Sequence, residues 1–296
     1  MASAVSLLAI TLAAGVVIGL SLGALGGGGS ILTVPVLVYL LGEQPQIATT
    51  ASLVIVGVSS ILAAVSHARS GRVQWRAAVV FGALGIAASF VGSKLNRLVD
   101  PNVLLLSFTA LMLVAATAML LRTRTPADAV VETAPQRELA STGPSRSGVS
   151  AEASTHEPTG AATRRPEREP GSRLVTAGKV VLASLVVGFL TGFLGVGGGF
   201  VIVPALVLAL RYGMPTAVGS SLVIISITSL GAFVERLGQT TIPWHTIIPF
   251  TVAAVLGSLA GKRVSDRVSG TALSRAFAGL LVLVASYVAA QAAIAL

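Results

Sequence analysis

The sequence predicts an all-α, polytopic integral membrane protein made of two homologous helical repeats, with glycine-broken short helices at its centre. Three observations carry that prediction. First, 54% of the 296 residues are hydrophobic, 10% are charged, and the mean hydropathy is +0.88, unlike a soluble domain. Second, several uncharged apolar runs reach the roughly 20 residues needed to cross about 30 Å of hydrocarbon. Third, the cluster Gly26-Gly27-Gly28-Gly29-Ser30, followed by Pro35, has a twin in Gly195-Val196-Gly197-Gly198-Gly199, followed by Pro204. Each position of the second copy is the first plus 169 (195 − 26 = 169).

The elements follow in order, with about 8–10 membrane segments expected in all. A first apolar segment runs from Ala4 to Leu25. It lacks the basic start of a signal peptide and is read as a span. The glycine cluster breaks it, since each glycine in a helix interior costs roughly 1 kcal/mol relative to alanine. A short segment from Ile31 to Leu41 and the turn Gly42-Glu43-Gln44-Pro45 come next. Longer segments are expected over Ile47–Val65, Trp75–Leu95 and, after Asp100-Pro101-Asn102, up to Leu121. The second repeat places its segments at Leu174–Leu194, Phe200–Leu210, Thr216–Phe233, Trp244–Val264 and Thr271–Ala293.

The offset holds well beyond the glycines. Gly19 pairs with Gly188, Ser52-Leu53 with Ser221-Leu222, Trp75 with Trp244, Phe81 with Phe250, and Phe108 with Phe277. Matches in one register that include both tryptophans indicate a duplicated unit, a common plan in secondary transporters. The domain reading is therefore a first transmembrane repeat over 1–121, a linker over 122–173 and a second repeat over 174–296. The linker holds six prolines, eight arginines and seven acidic residues, with no Phe, Tyr, Trp or Ile. It cannot bury enough apolar surface to order itself, and is read as a disordered, cytoplasmic tether.

Loop charges bear on repeat orientation. If each unit crosses an odd number of times, the halves are inverted and every Lys and Arg except Lys94, Arg97 and Arg236 falls on one side. If the short segment dips in and returns, the halves are parallel and the split is more even. The positive-inside rule favours inversion, whereas the shortness of Ile31–Leu41 favours a dip. The same rule accounts for the net charge of +9. Nucleic-acid binding is not expected, because aromatic residues are only 5% of the chain and lie mostly in apolar runs.

The chemistry must come from few groups. There is no cysteine, hence no disulfide, thiolate metal site or cysteine nucleophile. No P-loop, no His/Asp/Glu set with metal-ligand spacing and no Ser–His–Asp set is present, so no catalytic residue, metal or cofactor is expected. Gly19 and Gly23, like Gly188 and Gly192, have the G-x-x-x-G spacing of closely packed helices. Consecutive glycines go further. Irregular backbone at membrane depth must be buried in protein or line a wet cavity, and a helix that starts there offers N–H groups and a positive dipole end to an anion. The candidate binding residues are Gly27, Gly28, Gly29 and Ser30, with Gly197, Gly198 and Gly199 opposite. Pro35 and Pro204 shape the short segments. The hydroxyls of Thr49, Thr50 and Ser52, and of Ser220 and Ser221, open the next segments as N-caps or as donors to an oxyanion. Ser59-Ser60 and Thr228-Ser229 lie about two turns deeper. His67, Glu235, Arg236 and His245 fall near segment ends, where solvated or snorkelling side chains are ordinary.

The motifs GALGGGGSILTVPVLVYLLG…ATTASL and GFLGVGGGFVIVPALVLAL…AVGSSL, one per half, are similar to those of the TauE/SafE family of sulfite and organosulfonate exporters. The resemblance covers residues 5–121 and 174–293 and omits the linker, which many relatives have in shorter form. It implies a multi-pass plasma-membrane permease that exports small sulfur-containing anions, with the lipid bilayer and the substrate as its partners. Competing readings are an anion channel or a passive membrane scaffold. Neither the oligomeric state nor the coupling ion is legible.

Overall fold

The structure, a computed structural model, describes residues 2–96, 98–99, 101–123, 170–194, 199–236 and 243–295. Residues 124–169 of the linker, with Gly197 and Gly198 of the predicted site, lie outside the described residues, while the linker's two ends, 122–123 and 170–173, are helical rather than disordered. What is described is helical: α1 (Ala2–Leu25), α2 (Gly28–Pro35), a π-helical turn (Val36–Leu40), α3 (Pro45–Arg69), α4 (Trp75–Asn96), α5 (Pro101–Thr123), α6 (Pro170–Leu194), α7 (Gly199–Leu208), α8 (Met214–Arg236), α9 (Trp244–Arg267) and α10 (Gly270–Ala295). Six of these, α1, α3, α4, α8, α9 and α10, are long and apolar enough to cross a membrane. The remaining helices carry shorter apolar stretches.

Packing fixes the direction of each helix. Gly15 lies against Ala253 and Gly23 against Ser258, so α1 and α9 run parallel. His67, near the end of α3, bonds to Gly23, near the end of α1, so α3 runs the same way. Gly188 lies against Gly85 and Gly192 against Ser89, while Gly82 meets Ile227 and Gly231 meets Ile86. Helices α4, α6 and α8 therefore run together. They oppose the first group, because Gly57 of α3 lies against Ser229, whereas Gly219, near the start of α8, lies against Arg72, just past the end of α3. Helices at corresponding positions of the 169-residue offset, α1 with α6, α3 with α8 and α4 with α9, thus run in opposite directions. The short segment returns the chain to the face where α1 begins, which leaves the halves inverted, the arrangement that the charge distribution favours.

The molecule has two faces. The terminal face is where α1 begins and α10 ends. The linker face is where α5 ends and α6 begins. Arg69, Arg72, Arg76, Arg122, Arg211, Lys262, Arg263, Arg267 and Arg275 gather toward the linker face, against Lys94 and Arg236 at the other. Trp75 starts α4 at the linker face and Trp244 starts α9 at the terminal face; both are about half exposed, at 53% and 51%, as suits indoles at the two membrane interfaces.

The main contacts cross between the halves: α1 packs on α9, α4 on α6, α3 on α8 and α5 on α10. Two of these seams depend on glycine. A Cβ on Gly19 or Gly23 would collide with the α9 backbone, and one on Gly188 or Gly192 with that of α4. The G-x-x-x-G pairs therefore pack parallel helices at backbone contact, as their spacing predicts.

The two turns that end the short segments also correspond. Glu43 N donates to Leu37 O at 3.0 Å, and Tyr212 N to Leu206 O at 3.1 Å. Each bond spans six residues (43 − 37 = 6; 212 − 206 = 6), and a left-handed residue stands just before the donor, as at other helix C-termini. Gly42 supplies it at φ 71° and Arg211 at φ 55°. For an L-residue that conformation costs about 1–2 kcal/mol. Gly42→Ala should lower stability by about that amount. Arg211→Gly should raise it by less, because glycine also widens the unfolded ensemble. Thermal unfolding in detergent checks both.

Candidate functional site

The glycine cluster builds the centre. Helix α1 stops at Gly26, whose φ of 73° only glycine adopts at low cost; its N–H still closes on Leu22 O at 2.8 Å. Helix α2 then starts with Gly27 as its N-cap and no side-chain cap. Its first turn meets the first turn of α7: a Cβ on Gly27 would collide with the Gly199 carbonyl, and Gly199 lies against Ser30 Oγ. Gly26 in turn lies against Ser221 Oγ. From this meeting point α2 runs toward the terminal face and α7 toward the linker face. The positive ends of two short helices converge at mid-depth, as expected from the sequence.

The predicted site residues divide into two groups. Gly27, Ser30 and Gly199 are buried where α2 meets α7, while Gly28 is buried against Leu280 and Gly29 against Ile18 and Leu22 of α1. Ser30 Oγ donates to Gly27 O at 2.7 Å and Thr33 Oγ1 to Gly29 O at 2.8 Å, bonds that return hydroxyls to the helix backbone. Pro35 precedes the π turn, where Leu41 N reaches Val36 O at 3.2 Å. Pro204 sits buried inside α7 without such a turn, so the proline alone does not dictate it. Thr49, Thr50 and Ser52 lie inside α3, beyond its cap at Gln44 and first residue Pro45. Ser220 and Ser221 likewise lie inside α8. None of the five is an N-cap. Ser52 Oγ donates to Thr49 O and Ser221 Oγ to Val218 O, while Ser220 Oγ accepts from Gln74 N at 3.1 Å.

Thr49 and Ser52 of the predicted set, with Thr228 two turns deeper in its segment, line an open space. A cavity of about 100 Å³ lies between α3, α4, α6 and α8 and is floored by Val34 of α2 and Ile202 of α7. Its wall carries the hydroxyls of Thr49, Ser52, Ser89, Ser93, Thr191 and Thr228 among apolar groups such as Phe81 and Ile224. Toward the terminal face it reaches Arg236 and the exposed Glu235. The other predicted residues that are described are not part of its lining.

Sequence reading set Arg236 aside as an ordinary segment end, and did not single out Ser89, Ser93 or Thr191. One signal was available: the offset pairs Arg236 with His67, two ionisable residues at the ends of corresponding apolar segments. His67 itself departs from expectation. It was placed at a solvated end, yet it is fully buried, and its Nε2–H donates to Gly23 O at 3.1 Å. Helices α1 and α9 close over the end of α3, a packing that a single apolar run does not reveal.

The backbone contact should show in mutants. Gly27→Ala places a methyl on the Gly199 carbonyl, whereas at Gly28 the nearest obstacle is the flexible end of Leu280, 2.9 Å away. Overpacking against backbone costs about 1–3 kcal/mol. Gly27→Ala should lose that much in a detergent unfolding assay, and Gly28→Ala much less.

Comparison with known proteins then places the chain. A family model described as sulfite exporter TauE/SafE matches residues 11–288. A probable membrane transporter protein of Xylella fastidiosa strain Temecula1 is 33% identical over 284 residues, covering 95% of this chain and 94% of the relative. Another from Methanocaldococcus jannaschii is 23% identical over 280 residues, covering 88% and 89%. A third, YunE of Bacillus subtilis, is 22% identical over 263 residues, covering 85% and 88%. No solved structure matches the chain. With apolar helices, a hydroxyl-lined cavity and a family match along nearly its whole length, the chain belongs to the TauE/SafE family of multi-pass membrane transporters.

Proposed function

We propose that the protein is a secondary carrier of small anions, sulfite or organosulfonates, working in export, and not an enzyme. The observation that carries this reading is the cavity of Thr49, Ser52, Ser89, Thr191 and Thr228 with Arg236 at its rim. The hydroxyls of Ser52, Thr191 and Thr228 rest on carbonyls of their own helices, and each can turn its proton to an oxyanion without the desolvation cost of a buried lysine. A guanidinium at the mouth draws anions in and offers a planar fork that matches a sulfonate. Behind the wall, the meeting N-termini of α2 and α7 add a positive potential at mid-depth. Flux driven by an ion or substrate gradient fits a chain with no nucleotide-binding motif. The arginine-rich linker face is the cytoplasmic one by the positive-inside rule, so the cavity faces outward. The linker is a tether and takes no part in transport.

Purified protein in liposomes should show saturable, gradient-coupled flux and counterflow of sulfite, sulfoacetate or taurine, with phosphate as the comparison anion. Absence of flux of any of them from folded protein would overturn the reading. Flux that never saturates and shows no counterflow would support the channel alternative. Arg236→Gln should lower kcat/KM for the anion about tenfold or more, as expected for losing one charge-assisted hydrogen bond. Initial-rate measurements check this, with Arg236→Lys retaining part of the activity. Deleting residues 128–167 should leave the flux unchanged.

A further inference from the structure

The 169-residue offset maps the cavity onto a second set of residues at the opposite face. Thr228 maps to Ser59, Arg236 to His67, Ser89 to Ser258, Ser93 to Lys262 and Gly192 to Gly23. On the terminal side the first member of each pair lines open space. On the linker side the counterparts are packed shut: Ser59, His67 and Ser258 are fully buried, and His67 bonds directly to Gly23. A cluster closes the outer edge. Arg72 pairs with Asp266 at 2.5 Å, and Lys262 pairs with the other oxygen of Asp266 at 2.6 Å.

A separate observation points the same way. Among the described residues, five buried side-chain polar atoms have no hydrogen-bond partner: Ser59 Oγ, Ser60 Oγ, His67 Nδ1, Thr251 Oγ1 and Ser265 Oγ. All five belong to α3 and α9. Those are the counterparts of α8 and α4, whose separation forms the open cavity. An unsatisfied buried polar group is costly and rare. Five on two facing helices are accounted for if that interface opens and these groups meet water and solute there.

We propose that the α1–α3–α8–α9 interface is a second, latent anion-binding vestibule, opening at the linker face, in which Lys262 and the Ser59 hydroxyl face a small oxyanion. Asp266 holds it shut by occupying Lys262 and Arg72. An anion arriving from the centre competes with Asp266 for Lys262, so binding and opening are coupled. This rests on the reading of the protein as an anion carrier.

The absence of cysteine makes labelling with a membrane-impermeant maleimide a clean test. Ser59→Cys reports the latent vestibule and Thr228→Cys the open cavity. In Asp266→Asn the label at Ser59→Cys should react roughly fivefold or more faster from the linker face, and that at Thr228→Cys more slowly, since two ion pairs are lost. Sulfoacetate, which does not consume the reagent, should protect Ser59→Cys in Asp266→Asn, and adding Lys262→Gln should abolish the protection. A Cys pair replacing Arg72 and Asp266, once oxidised, should lock Ser59→Cys against labelling, with release on reduction. That pair covers the case in which Asp266→Asn fails to fold. Unchanged reactivity at Ser59→Cys in Asp266→Asn and in the reduced pair would overturn the vestibule. Protection at Thr228→Cys without protection at Ser59→Cys would overturn its anion site alone. Protection at neither would count against the anion reading on which it rests.

Discussion

Two short helices begin at mid-depth, and the molecule depends on how closely their first turns approach. In an apolar medium no water satisfies a broken backbone, so a helix can stop and restart there only against other protein. Gly27 and Gly199 let the two breaks cover each other, backbone against backbone. Once α2 and α7 are fixed head to head, one must run toward each face, and α3 and α8 then start at opposite ends. The opposed directions of all corresponding helices follow from this one contact. So does the interleaving of the halves: α1 finds its close partner in α9 and α6 in α4, each across a seam of small residues.

That interleaving decides which groups meet. Cavity walls come from both halves, with α3 and α4 facing α6 and α8. Ion pairing across the halves, Arg72 with Asp266, lies at the face where basic residues concentrate. A cationic face with a single carboxylate between Arg72 and Lys262 is held by that carboxylate. Both side chains of the Arg72 pair are about a third exposed, at 28% and 33%. At that exposure an ion pair contributes little to global stability, which suits a contact that forms and breaks better than one that anchors the fold.

Much of this architecture was legible in the sequence, for physical reasons. Apolar runs of membrane length admit few structures besides helices, and doubled glycines at one offset imply a doubled break. Packing at Gly19 and Gly188 followed from spacing alone. What was not legible depends on which faces meet. Thr49 and Ser52 reach the cavity, whereas Ser220 accepts from Gln74 N and Ser221 lies against Gly26. Burial of His67 and exposure of the cavity to Arg236 arise from lateral helix placement, which hydropathy does not encode. The hydroxyls of Ser52, Ser93, Thr191 and Thr228 donate to carbonyls of their own helices, as Ser184 does at Val181 O, so nothing in their local sequence marks them as cavity-lining.

In the carrier reading, the differences between corresponding positions matter more than the likenesses. A perfectly symmetric inverted pair would give outward-open and inward-open forms of equal energy and the same affinity on both sides. Here arginine stands opposite histidine (Arg236, His67), serine opposite lysine (Ser93, Lys262) and threonine opposite valine (Thr49, Val218). In sequence Asp266 corresponds to Arg97, so the acid of the clasp has no acidic counterpart at the 169-residue offset. With the helices duplicated and the charges not, each face can carry its own affinity. A ligand shifts such an equilibrium only by its differential affinity for the two forms. Direction is never set by these affinities, since any carrier runs down its total gradient. They set instead the concentration range over which each face loads, and a cation-rich release face retards the anion unless an internal carboxylate displaces it. Asp266, placed between Arg72 and Lys262, is chemically suited to that displacement, and the sequence has arginine, not a carboxylate, at the matching offset.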